Sequence, residues 1–420
     1  MAHWWTKGLL GAAVLPMLMW AGQAGSPVWA AEPPPVKAAA LSVDELRTQA
    51  RAGQVAAQVE WASRLRAGQG VAKDEGEALH WFTEAAMKGH VEAQFALAQM
   101  FAELGQDPQS PLLARLALSA SQSQRDAAGW FRRAAEQGHV QAQYERGRML
   151  AEGRGVVRNQ REAVEWYTQA AEQGLADAQQ ALGFMLVNGG IGVTRDVPEG
   201  LRWLYAAAQQ GQPLAISWYR QGAESGYPPA QYTLGLLHAK GQGVAKDDQA
   251  ALSWYRKAAE QGWPDAQYAL GRRLEVGEGV PKDEQAAAAL YFNAARQDHV
   301  QAQLRLGWML DQMGRDKEAV SWYLRAANQG NASAQFNLGV MFHSGEGVPP
   351  NREQAEAWYR RAAEQGHANA QNELGRLLGG GFFRDDEAEY WFRKAAAQGH
   401  VQAQQNLEKL AQMKKARVAR

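Results

Sequence analysis

The sequence predicts an all-α solenoid of about nine helix pairs with a period of 36 residues, and three periodic features of its 420 residues carry that reading. An Ala-Gln pair recurs at Ala57, Ala93, Ala142, Ala178, Ala230, Ala266, Ala302, Ala334, Ala370 and Ala403, with 36 the commonest spacing. Leu-Gly keeps step at Leu182, Leu234, Leu270, Leu306, Leu338 and Leu374, and Gly-x-Gly-Val at Gly68, Gly153, Gly190, Gly241, Gly277 and Gly345. An aromatic pair closes each unit at Trp81, Trp130, Trp166, Trp218, Trp254, Tyr291, Trp322, Trp358 and Trp391.

Each unit reads as two helices. In the unit beginning at Ala230, the residues Ala230, Leu234, Leu237 and His238 share one helical face, and Ala251, Trp254, Tyr255, Ala258 and Ala259 share another. Gly241-Gln242-Gly243 separates the two, Asp247 or Asp248 caps the second, and Gly262 supplies the left-handed residue that ends it. A glycine inside a helix, as at Gly235, costs about 1 kcal/mol relative to alanine, so its recurrence asks for a bulky neighbour that needs the space. The Trp-aromatic pair is the expected neighbour, with the repeat tryptophans read as core.

Composition narrows the function. Forty-four basic and 44 acidic residues cancel, which argues against nucleic acid as a partner, and the chain has no cysteine for disulfides, thiolate metal sites or a thiol nucleophile. Residues 1–30 read as a secretory signal peptide: His3 and Lys7, the apolar run Gly8 to Trp20, then Val28-Trp29-Ala30 as a cleavage site. That run is too short to span a bilayer, so no stable membrane insertion is expected after cleavage. Residues 31–44 form a Pro-rich leader, 45–410 the solenoid and 411–420 a basic tail. Two irregularities interrupt the array, an enlarged loop near 102–126 and an extra helix near 197–224.

The combined pattern Ala, Leu-Gly, Gly-x-Gly-Val-x-x-Asp, Ala-x-x-Trp-Tyr-x-x-Ala-Ala-x-x-Gly resembles the Sel-1-like repeat family, relatives of the tetratricopeptide repeat, over about residues 50 to 410. The resemblance implies a right-handed superhelical α/α solenoid that binds protein on its concave face and carries out no reaction.

No catalytic or cofactor-binding constellation stands out. Ser-x-x-Lys, His-Glu-x-x-His and the Gly-x-x-x-x-Gly-Lys phosphate loop are all missing from the sequence. His90, His139, His299, His367 and His400 share one repeat position and are therefore a repeat apart, too far to share a metal, so a role in the inter-helix turn is expected. Neither metal nor cofactor is expected.

A second apolar stripe marks the first helix of each unit. Two and six residues after the repeat alanine stand Tyr144 with Arg148, Tyr232 with Leu236, Tyr268 with Arg272, Leu304 with Trp308, and Phe336 with Val340. These point away from the Ala-Leu face, so they either pack on an adjacent repeat or form a protein-binding groove, for which Tyr, Trp and Arg are favoured residue types. Tyr227 and Trp263, each between a helix-ending glycine and a proline, are either local caps or exposed anchors.

The expected function is that of an exported, non-catalytic scaffold in a Gram-negative bacterium, periplasmic or secreted, serving envelope assembly or host contact through unidentified protein partners. Two alternatives stand beside it: a wall-active protein that binds peptidoglycan or another glycan, and a eukaryotic quality-control adaptor in which Asn331-Ala332-Ser333 would be glycosylated. Partner identity and oligomeric state are left open by the sequence.

Overall fold

The computed structural model describes residues 42–379 and 384–418, so the expected signal peptide and most of the expected leader lie outside the described residues. Among those described, 22 α-helices account for the regular structure, and the β pairing is a single isolated bridge between Gly190 and Val193. The chain is an all-α repeat solenoid divided into two compact units, residues 42–218 with 242–244, and residues 219–241 with 245–418.

In the first unit the helices are α1 (Val43–Arg51), α2 (Val55–Ala67), α3 (Glu75–Met87), α4 (Val91–Leu104), α5 (Pro111–Arg115) and α6 (Ala120–Glu136). They continue through α7 (Val140–Glu152), α8 (Gln160–Glu172), α9 (Ala176–Asn188) and α10 (Val197–Gln209), and α11 (Pro213–Glu224) contains the boundary. The second unit holds α12 (Pro228–Lys240), α13 (Asp248–Glu260), α14 (Pro264–Val276), α15 (Glu284–Ala295), α16 (Val300–Gln312) and α17 (Asp316–Asn328). It ends with α18 (Ala332–Ser344), α19 (Arg352–Glu364), α20 (Ala368–Leu378), α21 (Asp385–Ala397) and α22 (Val401–Val418).

The local chemistry explains the boundaries. Most second helices begin on an Asp or Asn side chain that accepts backbone N–H groups: Asp247 takes those of Gln249 and Ala250, and Asn351 that of Gln354. Five first helices begin on the recurrent histidine. The N–H of Ala142 donates to Nδ1 of His139 at 3.1 Å, and the same bond occurs at His90, His299, His367 and His400. At the other end of the first helices, Gly153, Gly241 and Gly277 adopt positive φ as left-handed caps.

The interior glycines and the aromatic pair meet, with a correction to which aromatic does the packing. A Cβ on Gly235 would lie 2.7 Å from the Tyr255 ring, and one on Gly271, Gly307 or Gly339 would strike Tyr291, Tyr323 or Tyr359. The core residue is therefore the second member of each pair; Tyr291 occupies that second position, and Leu290 precedes it. Trp81, Trp130, Trp166, Trp254 and Trp322 are only half-buried, although Trp358 and Trp391 are buried. Several carry a cation from the next turn: Lys257 lies 4.1 Å from the Trp254 ring, Arg325 4.8 Å from Trp322 and Arg361 4.5 Å from Trp358. One residue is a rotation of about 100° on a helix, enough to move the indole from the interior to the edge.

Three of the expected boundaries also shift. Helix α1 begins inside the expected leader because Ser42 and Glu45 form a capping box. The enlarged loop at 102–126 contains α5 and the lengthened start of α6, sealed where Ser123 Oγ donates to the Phe101 carbonyl at 2.7 Å. The basic end is helical to Val418, and Lys414 pairs with Asp386 at 2.6 Å and Glu389 at 2.7 Å. Residues 197–224 form α10 and α11.

Candidate functional site

In eight of the ten Ala-Gln pairs the glutamine ties the repeats together. Gln231 is buried, donates Nε2 to the Ala223 carbonyl at 3.1 Å and accepts from Gln261 Nε2 at 2.8 Å. The same two-sided bond recurs at Gln94, Gln143, Gln179, Gln267, Gln303, Gln335 and Gln371, each joining the ends of two successive second helices. The partner glutamine sits at a second fixed repeat offset, the signal from which this ladder could have been read.

With the repeats held in this way, the first-helix stripe separates into a packed row and an accessible row. Two residues after the repeat alanine, Tyr144 packs on Tyr167 at 5.7 Å between ring centres, Tyr232 on Tyr255 at 5.8 Å, Tyr268 on Tyr291 at 5.7 Å and Phe336 on Tyr359 at 5.9 Å. Tyr232 is buried and the other three half-buried. Leu304 packs against the core in the same row. In the second row Leu236 and Val340 lean on the core, and Arg148 pairs with Glu145 at 2.6 Å. Burial pushes the Glu145 carboxyl above its ordinary range, against the pull of Arg148.

Arg272 and Trp308 remain open in that second row, Trp308 with 40% of its surface exposed. The Arg305 guanidinium lies 4.3 Å from the Trp308 ring and grips Glu275 through Nε at 3.0 Å and Nη2 at 2.5 Å. The fully buried Tyr291 donates its hydroxyl to the same carboxylate at 2.8 Å. Glu275 of α14, Tyr291 of α15 and Arg305 of α16 thus fix the indole's support. Burial raises the Glu275 pKa, but the hydrogen bonds from Arg305 and Tyr291 outweigh it and hold the carboxyl below its ordinary value. The Tyr291 hydroxyl is driven up by burial and by Glu275.

Neither Tyr227 nor Trp263 is a fully exposed anchor. Each is a half-buried N-cap residue in the histidine position, without a side-chain capping bond; Trp263 packs into the core cluster and its buried Nε1 has no hydrogen-bond partner. Asn331 fills the histidine position with Oδ1 accepting the Ala334 N–H at 2.9 Å, so its amide helps to start α18. Among the described residues no group of three or more His, Asp or Glu is placed to hold a metal, and no helix is long and apolar enough to cross a membrane.

The sequence matches the Sel1 repeat in ten segments: 55–90, 118–139, 140–175, 176–212, 212–227, 228–263, 264–299, 300–331, 332–367 and 368–400. The chain belongs to the Sel1 repeat family. Ten matched segments exceed the nine or so expected because the two short ones, 118–139 and 212–227, fall where the period is broken. Two solved structures are similar. One is a protective antigen of uropathogenic Escherichia coli strains with an SLR fold, at 30% identity over 89% of this chain and 91% of that chain, TM-score 0.40. The other is a Sel1 repeat protein from Oxalobacter formigenes, at 31% identity over 80% of this chain and 89% of that chain, TM-score 0.36. No curated protein matches. Sel1 repeat proteins generally mediate protein–protein interaction.

Proposed function

We propose that this Sel1 repeat protein is an exported, non-catalytic scaffold that binds a protein partner through its first-helix face, in envelope assembly or host contact. The observation that carries the reading is Trp308, a half-open indole on an Arg305-Glu275-Tyr291 support, with the exposed Arg272 at the same offset of the preceding repeat. Tryptophan and arginine dominate interface hot spots because they bury much area around a directional polar contact, and a pre-fixed side chain loses little entropy on binding. Export is supported by the charged, apolar and small-residue order of residues 1–30.

The test is affinity capture from native envelope and culture medium with the mature protein, a Trp308→Ala, Arg272→Ala double variant, and a Leu324→Ala variant. Leu324 is 40% exposed on the second helix of its repeat and serves as the control. The double variant should lose a partner that the other two proteins retain. Equal capture by all three, with unchanged helicity, would move the binding surface elsewhere.

A further inference from the structure

The capping histidines do more than start helices. In three places the ring also closes the seam between repeats: His139 stacks on Phe95 at 4.3 Å between ring centres, His367 on Phe336 at 4.9 Å, and His299 lies 4.9 Å from Tyr268. Each ring therefore fills two roles, apolar against the preceding repeat and hydrogen-bond acceptor toward its own helix. The acceptor is Nδ1, which fixes the neutral tautomer with the proton on Nε2. A proton on Nδ1 would abolish the bond and place a cation on the positive end of the helix dipole.

We infer that His139 and His367 make the repeat seams acid-sensitive, each seam weakening when its histidine takes up a second proton in mildly acidic surroundings. The charged groups facing the five caps differ. His139 feels Glu92 of α4, whereas burial alone acts on His367. Burial is the leading influence on both and holds them below the ordinary histidine value. His90 has Glu92 at 3.4 Å, His299 has Asp265 at 3.5 Å, and His400 Nε2 meets Asn369 Oδ1 at 3.0 Å. His139 in the first unit and His367 in the second are the two caps whose rings stack on the preceding repeat.

The sign follows from linkage. A histidine whose folded pKa is depressed contributes stability that is fully present above about 6.5, its unfolded value, and is lost as pH falls through the folded value. Carboxylates titrate lower, near 4 when unfolded, so the interval from pH 7.5 to 5.0 isolates the histidines.

The chain itself supplies the control. Asn331 occupies the same repeat position and caps α18 without a titratable group. A His139→Asn, His367→Asn variant should keep its caps, remain folded at pH 7.5, and lose less of its melting temperature than the parent between pH 7.5 and 5.0. The difference should be about 2–4 °C per cap. Histidine ring titration by NMR in the parent should place both residues below 6.5, and it reports even if the double variant fails to fold. An equal drop in both proteins, or ring titration at or above 6.5, would overturn the inference.

Discussion

Replacing Gly339 by alanine tests the packing logic of the whole array. The new Cβ would stand 2.4 Å from Cδ1, 2.5 Å from Cε1 and 3.0 Å from Cγ of Tyr359, a ring with 2% of its surface exposed and no open side toward which to retreat. Overpacking of this kind costs about 1–3 kcal/mol, and the severity of the overlap puts it near the upper end. Against this, alanine is about 1 kcal/mol better than glycine within a helix, so the net loss should be about 2 kcal/mol. Gly129, inside α6 and with nothing within 4 Å of its would-be Cβ, isolates the propensity effect, and Gly129→Ala should stabilise by about 1 kcal/mol. Urea unfolding followed by circular dichroism reads both. If Gly339→Ala stabilised the protein as much as Gly129→Ala, the glycine would not be there to admit the tyrosine, and the account of the repeat core would fail.

Three further outcomes follow from the same contacts. Tyr255→Ala should cost about 3–5 kcal/mol in thermal unfolding and exceed Trp254→Ala, because the tyrosine is 3% exposed while the indole sits at the edge under Lys257; the reverse order would restore the tryptophan to the core. Gln335→Leu should cost about 1–3 kcal/mol by removing its bond to the Ala327 carbonyl and the bond it accepts from the Gln365 amide, and no loss would mean that the glutamine ladder adds nothing to the joint between repeats. Glu356 accepts Arg384 at 2.5 Å and Arg360 at 3.0 Å, and the Arg384 bond leads in holding its carboxyl below the ordinary value. Its contribution, below about 1 kcal/mol for so exposed a cluster, is present above pH 4.3 and lost as pH falls through the folded value, so Glu356→Gln should flatten the acid limb of a pH-stability curve.

The sequence made the period, the two helices per unit, the Asp247 cap and the need for space at the interior glycines readable, because each is a local event within a few residues. Choosing between Trp254 and Tyr255 was beyond it, since both lie on the apolar stripe and only the approach to Gly235 decides which turns inward. The same reason separates Tyr232 from Trp308: hydrophobic character marked both, but the distance between neighbouring helices determines which ring is covered. The Arg305-Glu275 pair spans 30 residues and joins two different repeat offsets, so it becomes visible only when successive helices are placed side by side. The recurrence of histidine in the turn is legible in the sequence, but its capping bond depends on backbone direction.

Binding through the first-helix face is tested most directly by a photo-crosslinking residue placed at Trp308, compared with one at Leu324, in the mature protein exposed to native envelope and medium. The account predicts a discrete protein adduct from position 308 and none from position 324. Adducts from position 324 alone, or equally from both, would contradict it.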